Sequence, residues 1–333
     1  MRYTLVPQDD SCMTQNDVRC LQMSLIDSLQ SIPPLTLQPL HIVDYDVLGV
    51  QVHLLRMDLI HPQLSGNKWF KLRENLRHAK ESGCKRVISF GGAFSNHLHA
   101  LAWAGHTLQM PTLGVVRGEA AYAANPTLTD ATRWGMELKF VSRKEYQKRD
   151  SEAYLSELRL RYPDSWIVPE GGSNTLALAG FADMFAAPCW RQQAMPDLLV
   201  AACGTGGTLA GLISAVPSAV KVLGIPVLKG AAFLEQDIEA LLRGASAGAG
   251  KEWYLDLEGH EGGYAKLSPE LIEFMTWFET KTNIELDPVY TGKMMFRLHK
   301  LILRGTFCRG TSIVAVHSGG LQGRRGFVAR GLL

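Results

Sequence analysis

The sequence predicts an α/β protein whose parallel sheets are covered on both faces by helices. Three observations carry this. Short apolar runs with strand character alternate with segments of helical period from residue 50 onward. Glycine-rich loops repeatedly follow a strand and open a helix, as in doubly wound folds. The 333 residues exceed the ~100–200 of a typical domain, which points to two domains.

The elements follow in order. Residues 1–23 are polar, carry Asp9, Asp10 and Asp17, and lack the apolar core of a signal peptide. They read as a loose, dispensable extension, and Met13 or Met23 could serve as the start. A helical pattern begins near Met23 and ends at Pro33-Pro34, because proline cannot continue a helix. Residues 51–56 read as a strand. Trp69, Phe70, Leu72, Leu76 and Ala79 recur at helical spacing, and Gly83 closes that helix. Strands at 86–90, 112–116, 137–142 and 165–168 alternate with helices at 95–109, 127–135, 143–162 and 174–187. Strands at 197–202, 220–225 and 252–257 then alternate with helices at 207–216, 233–243 and 268–281. A helix at 292–304 and a strand at 311–316 complete the pattern. Strands alternating with helices imply parallel sheets covered on both faces.

Composition excludes several functions. With 34 basic against 32 acidic residues the net charge is +2, so nothing points to nucleic acid or a membrane surface. No stretch approaches the roughly 18 apolar residues of a membrane span. The six cysteines are scattered without a CxxC pair, which suits reduced thiols in a cytoplasmic protein. Of ten histidines only His97 and His99 are close, and two residues apart on a helix they face away from each other, so no metal site is expected.

Chemistry should lie where strands run into helices. The loop CGTGGT, 203–208, follows an apolar strand and opens a helix. Glycines free backbone N–H groups, the helix start adds partial positive charge, and Thr205 and Thr208 add hydroxyls, so the group best bound is a phosphate. A dinucleotide fingerprint lacks its third glycine, since Leu209 stands there, and a Walker loop lacks its lysine. In LSGNKWFKL, 64–72, Lys68 sits at a helix start, where the dipole favours the neutral amine that Schiff-base chemistry needs. On its own this singles out Lys68 no better than Lys71 or Lys293. In GGAFSNH, 91–97, Ser95 and Asn96 are helix-capping types, and taken alone the motif reads as a plain cap before it reads as a carboxylate cradle. In DPVYTGK, 287–293, Tyr290 could stack on a planar ring and Thr291 could hydrogen-bond a ring nitrogen.

Taken in order, SGNK, GG-x-x-SNH, GGSN, the Gly/Thr loop, GGY, DPVYTGK and H-S-G-G resemble the aminocyclopropane-carboxylate deaminase and D-cysteine desulfhydrase family from about residue 30 to 320. That family uses pyridoxal 5'-phosphate (PLP) and has the tryptophan-synthase-β-like fold, type II. The resemblance implies two three-layer αβα domains with parallel or mixed sheets. The small domain would be 71–180, and the large PLP-binding domain 1–70 with 181–333. It implies that Lys68 carries the cofactor as a Schiff base. Asn96 would bond its phenolic oxygen, and Gly204, Thr205, Gly206, Gly207 and Thr208 would hold its phosphate. Ser95, Asn96 and His97 would face the substrate, Tyr264 and Tyr290 would stand near substrate and ring, and Thr291 would meet the ring nitrogen. A homodimer acting on a small amino acid is expected.

Ring-opening members of that family carry Glu at the position of Thr291 and Leu after the His of the last motif. Desulfhydrase-like members carry Ser or Thr at both. Thr291 and Ser318 therefore make this chain resemble the desulfhydrases, which release pyruvate, ammonia and sulfide by β-elimination. The alternatives are an aminocyclopropane-carboxylate deaminase, a synthase or racemase of the same fold, or a PLP-binding regulator without turnover. The chain departs from the family's pattern at Ser65, in LHALAWA after SNH, in CGTGGT, which is closer to threonine or cysteine synthases, and in the arginine-rich end RRGFVARGLL.

Overall fold

The computed structural model describes residues 33–333 apart from Ser65, Gln192 and Gln193. The extension 1–23, the helix expected from Met23 and the first residue of SGNK lie outside the described residues.

Among the described residues ten strands form two sheets. The first comprises β1 (Leu37–Pro39) and β2 (Gln51–Arg56) from the beginning of the described chain, and the second comprises β3 (Arg86–Gly92), β4 (Thr112–Arg117), β5 (Glu137–Val141) and β6 (Ser165–Val168). The chain then returns to the first sheet with β7 (Leu198–Cys203), β8 (Lys221–Pro226), β9 (Trp253–Leu255) and β10 (Ser312–His317). The six-stranded order is β1-β2-β10-β7-β8-β9, with only the edge strand β1 antiparallel. The four-stranded order is β5-β4-β3-β6, all parallel. The helices are α1 (Val43–Leu48), α2 (Asn67–Glu81), α3 (Asn96–Leu108), α4 (Pro126–Arg133), α5 (Arg143–Tyr146) and α6 (Glu152–Arg161). They continue with α7 (Thr175–Ala179), α8 (Gly207–Ala215), α9 (Leu234–Gly244), α10 (Pro269–Thr282), α11 (Thr291–Leu303) and α12 (Arg324–Val328).

Alternation along the strands explains the layers. In β7, Leu198, Val200 and Ala202 face α1, α10 and α11, while Leu199, Ala201 and Cys203 face the opposite core. That opposite core also takes Val87 of β3 and Val116 of β4, so one apolar layer, with α2, α3, α7 and α8, serves both sheets. The outer face of the small sheet packs Ile88, Phe90, Leu113 and Val115 against Tyr146, Tyr154 and Leu158.

Departures from the expected elements have local causes. β1 and α1 span 3 and 6 residues, too short for a period to show. The helix expected over 143–162 breaks after Tyr146 and restarts at Glu152, because Lys148–Ser151 form a turn closed by Ser151 Oγ on the Lys148 carbonyl at 2.8 Å. The helix expected over 174–187 stops at Ala179. A Cβ on Gly180 would lie 1.9 Å from the Phe70 carbonyl oxygen, so this glycine is where α7 and its following turn press onto α2.

Candidate functional site

The loops that the sequence marks for chemistry leave the carboxyl ends of β3, β7 and β10 and meet over α2. They enclose a cavity of about 300 Å³. Of the residues expected in the site, Lys68, Ser95, Asn96 and His97 line it, as do Gly204, Thr205, Gly206, Thr208, Tyr264 and Tyr290. Gly207 and Thr291 are not in its lining. A wider cleft of about 1000 Å³ shares Ser95, Asn96, Thr205, Tyr264 and Tyr290 with it and leads outward past Phe94, Arg117 and Arg330.

Lys68 is held by its neighbours. Gly66 has φ +66°, and a Cβ there would lie 1.8 Å from the Ser318 carbonyl oxygen. That oxygen accepts from the Asn67 amide at 3.2 Å. The SGNK and HSGG loops are thus stitched together, 250 residues apart in sequence from Lys68 to Ser318 (318 − 68). The Lys68 amine donates to Asn67 Oδ1 at 2.8 Å, and Asn67 Nδ2 donates to Thr208 Oγ1 at 2.6 Å. Burial lowers the Lys68 pKa to about 8, against the upward pull of the Asp287 carboxylate. Burial, rather than the helix start argued from sequence, is thus the main cause of the shift.

Beside the Gly/Thr loop stands a second amine, Lys71, which by sequence alone is only a rival to Lys68. Lys71 is buried and donates to Ser173 Oγ at 3.1 Å, and Ser173 Oγ lies 2.7 Å from Thr205 Oγ1. A Cβ on Gly207 would lie 2.4 Å from Ser173 Oγ and 2.9 Å from Lys71 Nζ, so only glycine leaves this hollow open. Burial first, then the charge of Lys68, pushes the Lys71 pKa well below that of an ordinary lysine. The signal was available: three residues beyond Lys68 on a helix, Lys71 shares its face. Asn174 of the GGSN motif stands behind this wall. It exchanges two amide hydrogen bonds with Asn75, at 2.7 and 3.0 Å, and Asn75 also donates to the Lys71 carbonyl at 2.9 Å.

On the facing wall, Ser95 Oγ caps α3 by accepting from the Leu98 amide at 3.2 Å, which leaves its hydroxyl proton free. Ser89 Oγ donates to the Val168 carbonyl at 2.8 Å, so it must accept from His97 Nε2 at 2.8 Å. His97 is therefore the neutral Nε2–H tautomer, in keeping with a pKa pushed well down by burial, Lys68 and Lys71. The hydroxyls of Tyr264 and Tyr290 lie 3.3 Å apart with their rings edge to face. Burial raises both pKa values, so both phenols stay protonated.

Two residues of DPVYTGK point elsewhere than the sequence reading suggests. The Thr291 hydroxyl donates to Asp287 Oδ2 at 2.6 Å and accepts from the Asp287 amide at 3.0 Å, so its one proton is already committed. Lys293 is fully buried and donates to the carbonyls of His260 and Gly263, the latter beside Tyr264. It braces the GGY turn and is not in the cavity lining. Ser318, in contrast, lines the cavity, as does Gln322, which no motif indicated.

A family model described as pyridoxal-phosphate dependent enzyme matches residues 31–319. The chain belongs to the pyridoxal-phosphate-dependent enzymes. The enzyme is 29% identical over 296 residues to the bifunctional D-cysteine desulfhydrase/1-aminocyclopropane-1-carboxylate deaminase of Arabidopsis thaliana, covering 83% of this chain and 73% of that one. It is 28% identical to a putative 1-aminocyclopropane-1-carboxylate deaminase of Pyrococcus horikoshii, covering 83% and 86%. Among solved structures it is similar to an ACC deaminase homologue, with a TM-score of 0.77, 25% identity and coverage of 92% and 99%. The fold is accordingly the type II fold expected from the resemblance.

The residues present fit the cofactor. The hollow kept open by Gly207 has a buried amine in Lys71, which an anion would favour in its charged form, and hydroxyls in Ser173 and Thr205, with Thr208 in the same cavity, which suits a phosphate. Lys68 lines the same cavity, and its pKa of about 8 gives it far more neutral amine near neutral pH than an ordinary lysine has.

Proposed function

We propose that the enzyme is a D-cysteine desulfhydrase-like lyase, eliminating the β-substituent of a small amino acid. With D-cysteine and water the products are pyruvate, ammonia and sulfide. The observation that carries this reading is Ser318 in the cavity wall, where ring-opening relatives of the resembled family have an apolar residue. No carboxylate replaces Thr291, whose proton is held by Asp287.

The geometry supports the following roles. Lys68 would hold the cofactor covalently, and Gly204, Thr205, Gly206, Gly207 and Thr208 with Lys71 would hold its phosphate. The cofactor supplies a sink for negative charge at the α-carbon. The α3 start at Ser95, with its free hydroxyl proton, would bind the substrate carboxylate. Once the substrate's own amine has displaced it from the cofactor, the freed neutral Lys68 amine would take the α-proton, and the protonated Tyr264–Tyr290 pair would stabilise the departing thiolate. His97 would form the floor below the substrate.

We further propose the division into a small domain, 71–180, and a large one, 1–70 with 181–333. Each sheet's strands fall on one side of it. A cytoplasmic homodimer completes the reading, supported by four unpaired cysteines among the described residues and by the resemblance. No described helix is long and apolar enough to cross a membrane.

The test is a steady-state assay on D-cysteine and on aminocyclopropane carboxylate, scoring pyruvate, sulfide and 2-oxobutyrate. Sulfide from D-cysteine with little ring opening is the expected result. Robust ring opening by the unmodified enzyme would favour the deaminase reading, which the names of several relatives also support.

A further inference from the structure

We propose that Gln322 and Arg325 are positioning residues that decide which end of the Asn96 amide faces the bound cofactor. The proposal rests on the reading of Asn96 as a cofactor-facing residue.

An amide side chain can present its oxygen or its NH2 group with almost the same shape, so its partners decide the orientation. Here the decision starts at a guanidinium, which can only donate. Arg325 donates to Asp130 Oδ2 at 2.7 Å and to Gln322 Oε1 at 3.4 Å. The Thr127 hydroxyl donates to the same Gln322 oxygen at 2.9 Å. The oxygen of Gln322 thus faces α4, and its Nε2 faces the cavity side, where it donates to Asn96 Oδ1. With its oxygen engaged, Asn96 has only Nδ2 left to offer. Among the described residues no acceptor meets that group. It lies over Gly320, where a Cβ would come within 2.7 Å of it. Asn96, Gly320 and Gln322 all line the cavity.

Asn96 is therefore set as a donor, suited to an anionic oxygen on the cofactor ring and unsuited to a donor there. The residues that set it come from the last stretch of the chain. Arg325 belongs to the arginine-rich end that departs from the resembled family. A Gln322→Glu substitution keeps the oxygen-accepting contacts to Arg325 and Thr127 but cannot donate to Asn96. Asn96 would then turn its NH2 to residue 322 and its oxygen to the cofactor.

The experiment compares wild type, Gln322→Glu, Asn96→Ala and the double variant as holoenzymes. It reads the position of the bound cofactor's visible absorption band and the cofactor dissociation constant. Gln322→Glu is expected to shift the band and weaken binding on the order of tenfold, the loss expected for one hydrogen bond to a charged group. In the Asn96→Ala background it should do neither. An equal effect in both backgrounds would make Gln322 merely structural and overturn the proposal. A shift with Asn96→Ala but none with Gln322→Glu would also overturn it. No shift with either would overturn the reading of Asn96 itself. If Gln322→Glu folds poorly, Arg325→Met, exposed and outside the cavity lining, reads the same coupling at smaller amplitude.

Discussion

Replacing Lys71 with methionine should separate cofactor binding from stability, because the two respond in opposite directions. Lys71 is 2% exposed, and its amine has one hydroxyl partner at 3.1 Å and shares its surroundings with the charge of Lys68. Without a bound anion its charge is therefore disfavoured. Methionine keeps the length and the apolar stem without that charge, so the apoprotein should be as stable as wild type or more so. A phosphate in the hollow beside Gly207 would supply the missing countercharge. Losing one hydrogen bond to a charged group costs about 1.5–3 kcal/mol, or roughly 10–150-fold in the dissociation constant. The assay is urea unfolding of the apoprotein beside equilibrium titration with PLP and with pyridoxal, which lacks the phosphate. Lys71→Met should lose affinity for PLP and keep it for pyridoxal. Equal loss for both, or an apoprotein weakened by more than about 2 kcal/mol with PLP affinity intact, would refute the assignment.

Four further outcomes are expected. Because the Lys68 pKa falls from 10.5 to about 8, the folded apoprotein binds this proton less tightly than the unfolded chain, so the stability cost is full below pH 8 and is relieved as pH rises toward 10.5. The rate of cofactor attachment should therefore rise through about pH 8 and level off. Borohydride trapping followed by peptide mapping should place the label on Lys68, and a label on Lys71 or Lys293 would contradict the site. Lys293→Met removes the donor to two backbone carbonyls, one of them buried, and should cost about 2 kcal/mol in urea unfolding while leaving cofactor affinity nearly unchanged. Phe181→Ala removes a fully buried ring stacked on Phe70 at 4.8 Å and should cost about 3–5 kcal/mol; a loss below about 1 kcal/mol would show that α2 and α8 close around the gap.

Much of the architecture is legible without coordinates because it is written in short-range periods. β7 has apolar residues on both faces, so it must be covered twice, and the alternation of strands with helices then implies parallel sheets. Ser95 is legible as a cap because capping needs only the next three residues. The Gly/Thr loop and SGNK are legible because tight turns and close backbone approach call for glycine locally. The break within 143–162 is not, since a single turn at Lys148–Ser151 leaves the surrounding helical pattern intact.

By itself, then, the sequence determined the α/β class, the loops that bear chemistry, and the resemblance that names the cofactor. The tertiary structure alone decided which of those residues meet. Insertion of β10 between β2 and β7 brings Ser318 against Gly66, and no local pattern records that pairing. Lys71 becomes a candidate phosphate ligand only because Ser173, 102 residues away, and Gly207 close around its amine. Thr291 is withdrawn from the cavity by Asp287, and Asn96 is oriented by Gln322, 226 residues beyond it. The physical reason is common to all of these. Periodicity states which face of an element is apolar, whereas a hydrogen bond depends on positions within a few tenths of an ångström between segments that only the folded chain brings together.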